Sequence, residues 1–437
     1  MGCGVIKTIS THLHYLRRAK MKPFKLIASI VGVLVVLGVA GYMQAQEKRD
    51  IPEKVDVGSY ELNLLWQKDL RKVFGRELAL GSYGDLGPAI SMSTEGQYIG
   101  VDIHPWDRKT YDLPPGDQRG RFYLLNKEGK ILWAKSLGKK QTGIVAKNGS
   151  TVLLVVPRDE LDIEFFVYDI NGKQIGHGRQ PSCLELSGNG EYILAFDMMA
   201  GHEAALYDKT GKVRWRHAFK NPWGGSAKIM DSGDVVIFDT GDILLKRPNG
   251  QVLWHWKSPA HTLLFDLPPD ATPEEPNIMV YDFNPHDRAK DKIVLINAKG
   301  KIVWETKQGV QTAFFRHFSA SRKAMLVAGQ EWSTDEQTLW IYDTKKGRLI
   351  LHQPIATQAR LHDMTPDGRL FWVQGYSSGG KDRPGWYFDK QLLLLDVGSF
   401  QTTQISSNQF ALSPDGSYLT IGQWEGVVST YAIRQKP

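Results

Sequence analysis

A short phrase that the chain keeps rewriting limits its possible folds more than any other feature. LLNKEGKILW at 124–133 returns as LYDKTGKVRW (206–215), LKRPNGQVLW (245–254) and LINAKGKIVW (295–304), each with a Trp four residues after a turn Gly. VYDINGKQIG (167–176), YDTKKGRLIL (342–351) and LLDVGSFQTT (394–403) keep the apolar run and the Gly but lose the Trp, the last with a shortened turn. Apolar and β-branched arms around such a turn make each unit a β-hairpin, because Gly takes the left-handed conformation with no Cβ to clash. A period of about 40–50 residues marks a repeat architecture, so length alone does not set the domain count.

A second pattern precedes most of these hairpins: an apolar strand, a polar turn with Gly, and another apolar strand. It reads AISMSTEGQYIGV (89–101), CLELSGNGEYILAF (183–196), KIMDSGDVVIF (228–238), HDMTPDGRLFWV (362–373) and FALSPDGSYLTI (410–421). Two hairpins per unit give a four-stranded antiparallel sheet, and such sheets repeated around a circle form a β-propeller. Seven complete units end near Leu137, Gly178, Phe219, Trp256, Thr306, Gln353 and Ile405, leaving three strands at the C-terminal end. NLLWQKDL (63–70) matches the outer-strand phrase KILWAKSL (130–137), so it is the missing fourth strand. The expectation is an all-β, eight-bladed propeller over 60–437, closed by Asn63–Leu70 against Val427–Ile433; seven blades with the N-terminal strand outside the ring is the alternative.

Charge is concentrated at the N-terminal end. The first 50 residues hold eight of the 54 Lys and Arg but only two of the 47 Asp and Glu, so the remainder is close to neutral and nucleic acid is not an expected partner. The uncharged run Leu26 to Met43 is long enough to cross a hydrocarbon core of about 30 Å. Cations precede it and a balanced segment follows it, which by the positive-inside bias puts the N-terminus in the cytoplasm. The expected order is a basic cytoplasmic segment (1–25), a transmembrane helix (26–43), a linker (44–59) and an extracytoplasmic propeller. A cleaved signal peptide starting at Met21 is the other reading. Cys3 and Cys183 then sit on opposite sides of the membrane and form no disulfide.

The Asp/Asn-x-x-Gly-Lys-x-x-Trp pattern resembles the tryptophan-docking repeat of quinoprotein-type (PQQ-like) β-propellers. That resemblance implies eight blades closed in this way, and makes Trp66, Trp133, Trp215, Trp254 and Trp304 girdle residues that pack on the neighbouring blade. Enzymes of the family need a quinone pocket, Ca²⁺ ligands, an Asp base and often a vicinal Cys pair, whereas this chain has no Cys-Cys and no C-x-x-C-H. The resemblance therefore implies a non-enzymatic branch without cofactor. H-E-x-x-H, Walker and G-x-S-x-G motifs are also missing, and the pairs His286-Asp287 and His362-Asp363 lack companion ligands, so no catalytic or metal-ligating set is expected.

Long insertions fall mostly between second and third strands, on one face of the disc: 104–120, 157–162, 283–290, 330–336 and 375–389, with 267–276 projecting from the other. These loops carry Trp106, Arg108, Tyr111, Trp332, Arg383, Trp386 and Tyr387, residue types that dominate interface hot spots. Such aromatics also pin loops to a scaffold, so each has both readings. Aligning first strands on their turns puts Ser91, Glu185, His317, Asp363 and Ala411 at one level of the central channel, near Arg316, Arg360 and His362. They form either a ligand site or hydrogen bonds between blades. Three functions follow: a protein- or glycan-binding scaffold, which the loops favour, a ligand-sensing propeller, or a degenerate quinoprotein dehydrogenase.

Overall fold

The computed structural model describes residues 51–437 except 71–78, 81–88, 105–120, 137–140, 158–162, 181–182, 197–202, 221–224, 258–263, 269–270, 283–291, 307–311, 321–323, 332–336, 356–357, 377–390, 408 and 424–425. The segments 1–25 and 26–43 lie outside this part; among the described residues no helix is long and apolar enough to cross a membrane.

Pro52–Pro437 form one unit built of eight antiparallel sheets. Blades 1 to 7 occupy 79–135, 142–180, 183–218, 225–257, 264–305, 312–355 and 358–406, and blade 8 takes 409–435 plus Tyr60–Asp69. The seven-bladed alternative is thereby excluded. Tyr60–Asp69 pairs antiparallel with Val427–Gln435, from Tyr60 opposite Gln435 to Asp69 opposite Val427. Blade 1 has its inner strand in two pieces, Ala79–Leu80 and Ile90–Met92, both against Tyr98–His104.

Blade 8 carries an addition. Lys54–Val57, inside the stretch 44–59 expected to be linker, pairs with Tyr60–Asn63 as a fifth strand. It buries Val55 and Val57 and turns its charges outward, the alternation of a half-buried strand. Ser59 then bonds Asp396 in blade 7 twice, through its N–H at 2.7 Å and its Oγ at 2.8 Å.

Second and third strands are buried on both faces and read as unbroken apolar runs, such as Thr151–Pro157 and Gln391–Asp396. The core lies between blades: Leu153, Val155 and Phe165 of blade 2 pack on Leu184, Ile193 and Tyr207 of blade 3.

The repeated phrase has a specific geometry. In seven outer strands the pairing slips by one residue before the docking position, which in the six strands that follow a hairpin lies four after the turn Gly, leaving Leu65, Leu132, Ile175, Arg214, Leu253, Val303 and Ile350 as bulges. A bulge bends the strand and re-aims the next side chain. In five of the seven that next residue is a Trp, with Gly176 in blade 2 and Leu351 in blade 6, and in four the Trp Nε1 donates to a carbonyl in the following blade's turn: Trp66 to Lys127 at 2.7 Å, Trp133 to Ile170 at 2.9 Å, Trp215 to Arg247 at 3.0 Å, and Trp304 to Thr344. One position departs from expectation. In blade 4 the ring lying under the next turn, at Gly300, is Trp256; Trp254 stacks on it at 4.1 Å and turns toward Pro273, in the long loop of blade 5. In blade 2 the Trp position is Gly176, where the backbone of Lys209 and Thr210 fills the space a side chain would take.

Among the outer strands that of blade 7 alone has no bulge, and its turn is not shortened. Asp396 pairs with Gln401 across a four-residue loop, and Phe400 supplies the left-handed residue at φ 55.

Candidate functional site

Inner strands of neighbouring blades approach one another around the axis. Strand register, counted from the hairpins, decides which side chains share a level. Ser91 lies opposite Gly100, Ile144 opposite Leu153, Glu185 opposite Leu194, Lys228 opposite Val236, Asp266 opposite Met279, Ser319 opposite Leu326, Asp363 opposite Trp372 and Ala411 opposite Thr420. The expected column is therefore right for Ser91, Glu185, Asp363 and Ala411 and wrong for His317. His317 pairs with Ala328, two residues further from the first-to-second turn than Ser319, because the pairing runs without a shift from His317 to Ala320 and puts Ser319 at the level instead. Arg316, Arg360 and His362 also lie on inner strands, and their side chains, like that of His317, fall outside the described part.

Two charged residues of this level, Lys228 and Asp266, were not anticipated. Lys228 pairs with Glu185 at 3.1 Å, and Asp266 stands one blade further round. Near the turns, Lys147 of blade 2 reaches Asp231 of blade 4 at 2.6 Å, crossing over Gly188 of blade 3, where a Cβ would strike the Asp231 carboxylate. Lys228 was legible from KIMDSGDVVIF by the same count from the turn. Asp266 was not, because the 267–276 insertion hides the turn from which the count starts.

The electrostatics of the level are uneven. Asp363 accepts from the N–H of Met364 at 2.8 Å, and Asp266 from that of Leu267 at 2.9 Å, each through Oδ1. Burial pushes Asp363 up to about 6; Met364 N–H and Lys147 oppose the rise and Asp266 adds to it. Asp266 is raised by the same burial against the pull of Lys228. Two carboxyls thus face the axis with their affinity for protons increased. At Ser91 the inter-blade reading holds: its Oγ donates to Gly143 O at 3.1 Å and accepts from Val145 N at 3.1 Å.

The two faces of the disc differ. On the face of the first-to-second turns, Thr94 N donates to Lys147 O at 2.7 Å, Asn148 N to Gly188 O at 3.0 Å and Asn189 N to Asp231 O at 3.0 Å, so four blades are hooked in series. On the other face the described part includes the tight turn of blade 4, where buried Asp242 meets Lys257 at 2.8 Å, His255 at 3.1 Å and Lys220. Lys220, then Lys257 and His255, hold that carboxyl well below the usual range. Trp106, Arg108, Tyr111, Trp332, Arg383, Trp386 and Tyr387 belong to this face's connections and lie outside the described residues. Among the described residues no group of three or more His, Cys, Asp or Glu side chains is placed to hold a metal ion.

The profile of a family described as outer membrane protein assembly factor BamB matches residues 200–376. No curated protein matches the sequence. Among solved structures, the chain is similar to dihydro-heme d1 dehydrogenase NirN in complex with DHE (11% identity, 80% of this chain and 73% of that one, TM-score 0.50). It is also similar to Kuenenia stuttgartiensis hydrazine synthase (12% identity, 80% and 96%, TM-score 0.43). At such identities the likeness concerns the fold alone.

Proposed function

We propose that this chain, a β-propeller of the PQQ-like repeat family, is a non-enzymatic scaffold that binds a protein partner through the face of its second-to-third connections. The observation that carries this reading is the asymmetry of the disc. On one face the short turns of blades 1 to 4 bond to each other in series and the 267–276 insertion of blade 5 is the long exception, whereas the other face receives the long segments 105–120 and 377–390. A closed ring holds such loops at fixed separations, which lowers the ordering cost of binding. Their Trp, Tyr and Arg content suits a macromolecular surface better than a small metabolite. The matched family is described by an assembly role in the outer membrane, which favours a protein over a glycan. The apolar run 26–43 and its preceding cations support an anchor with the propeller outside the cytoplasm.

Photo-crosslinking in cells tests the reading. A crosslinking amino acid at 106, 332 or 386 is expected to trap one and the same protein, whereas placement at Asn148 or Asn189 on the opposite face traps none. Crosslinks from Asn148 and Asn189 alone would show the wrong face to be engaged. A reporter joined after Pro437 that is active only in the cytoplasm would remove the topology part.

A further inference from the structure

Eight outer strands end the eight sheets, and each presents a row of backbone groups to its surroundings. Proteins protect such edges with bulges, charges, Pro or an extra cover, since an unprotected edge recruits another strand. Seven of the eight are protected here. Each of the seven carries the bulge described above, and each holds a charged residue: Lys68, Lys135, Arg179, Arg214, Lys257, Glu305 and Arg348. The outer strand of blade 6 adds Pro354, and that of blade 8 is covered by Lys54–Val57.

Blade 7 breaks every part of this pattern. Its outer strand, Gln401–Ser406, reads QTTQIS, with no charge and no Pro, and its register against Gln391–Asp396 runs without a shift. It is the last strand of its sheet, and among the described residues its outer side has no strand partner. Lys54–Val57 passes near it, yet Gln401, Thr402 and Gln404 keep their exposure. Immediately before it stands Phe400, 52% exposed and held at φ 55, a conformation that costs a non-Gly residue about 1–2 kcal/mol. An exposed aromatic kept in a strained conformation at the end of an open edge is the arrangement expected of a contact residue.

We propose that this edge pairs with the same edge of a second copy of the chain, joining two blade 7 sheets antiparallel about a two-fold axis. The choice of a second copy rests on charge. At a two-fold axis every residue near the centre meets its own kind, so a charged strand repels itself. The Arg214 and Arg216 of blade 3 would do so; an uncharged Gln and Thr strand does not. Pairing centred on Thr403 sets Gln401 opposite the second copy's Ile405 and Phe400 opposite its Ser406. Blade 8 shows that an outer edge of this ring accepts a further strand, since Lys54–Val57 is one. The contact is small, so the dimer is weak and depends on concentration.

Hydrogen exchange of the detergent-solubilised full chain, read by mass spectrometry at concentrations about a hundredfold apart, tests this by mass action. Amides of Gln401–Ser406 are expected to gain protection at the higher concentration while those of Val252–Lys257 do not. Thr402→Lys inserts a charge into the edge, and is expected to abolish that gain and the associated mass increase in sedimentation, with the melting temperature of the dilute protein unchanged. Phe400→Gly is expected to weaken the dimer at least severalfold without lowering stability. Exchange of Gln401–Ser406 that is independent of concentration, or a dimer that survives Thr402→Lys, overturns the proposal.

Discussion

Asp363 is where a single side chain most clearly carries a cost of the architecture. Its carboxyl is raised from 3.8 to about 6, first by burial, so the folded state holds the proton more tightly than the unfolded chain does. Stability is then greatest below the unfolded value, declines as pH rises through about 6, and levels off above it. Asp363→Asn is expected to stabilise the fold at pH 7.5 by an amount on the order of 1–3 kcal/mol, seen as a higher melting temperature, and to give no advantage at pH 4. Melting curves at the two pH values check this; an equal effect at both would mean that ionisation is not the cause. Turn glycines offer a second comparison. Gly347 and Gly241 both have positive φ, but a Cβ on Gly347 would lie 2.6 Å from the Trp304 ring, whereas one on Gly241 meets nothing within 4 Å. Gly347→Ala is expected to cost about 2–4 kcal/mol and Gly241→Ala only about 1–2, measured by denaturant unfolding.

At the scale of the element, the unit is turn, bulge and docking residue together. Trp133 fills the slot between blades 1 and 2, against Phe122 at 5.5 Å and Tyr168 at 5.9 Å, and Trp133→Ala is expected to cost about 3–5 kcal/mol. The same logic predicts that restoring the repeat is harmful where the neighbour has moved in. Gly176→Trp, which would regularise VYDINGKQIG, puts a ring where the Lys209 and Thr210 backbone already lies, and is expected to destabilise the protein. A rise in stability on thermal melting would show that blade 3's turn can retreat. The hairpins were legible because turn Gly and strand alternation are local signals. The exchange of Trp254 for Trp256 was not, because a loop from blade 5 decides it. Nor was the regular blade 7 edge, since whether a residue bulges depends on its partner strand.

Over the whole molecule the ring is closed by residues more than three hundred positions apart, and the seal has two layers. Tyr60–Asp69 completes the sheet of blade 8, and Lys54–Val57 with Ser59 fastens it to blade 7 through Asp396. Burial pushes against ionisation of Asp396, yet the bonds from Ser59, Ser399 and Gly398 hold its carboxyl below the ordinary value. Removing residues 1–58 is expected to lower the melting temperature modestly and leave a monodisperse propeller. Removing residues 1–69 is expected to expose the edge of Val427–Gln435 and cause association between chains, seen by light scattering. Identical behaviour of the two truncations would place the seal elsewhere.

By itself the sequence determined the four-stranded repeat, the strand that matches the outer-strand phrase and the interior runs, because each rests on periodicity that the chain states locally and repeats, whereas the choice of eight blades over seven needed the pairing of Tyr60–Asp69 with Val427–Gln435. It also marked Glu185 and Asp363 as residues of one level, since both lie a fixed count from a Gly turn. Only the tertiary structure decided that Asp266 belongs to that level, that Lys228 pairs there with Glu185, that His317 leaves it, and that Lys147 crosses a blade to reach Asp231. The physical reason is register. A strand's alternation fixes which side chains share a face, whereas a one-residue slip against its neighbour moves them along the axis or turns them over, and only the paired strand sets that slip.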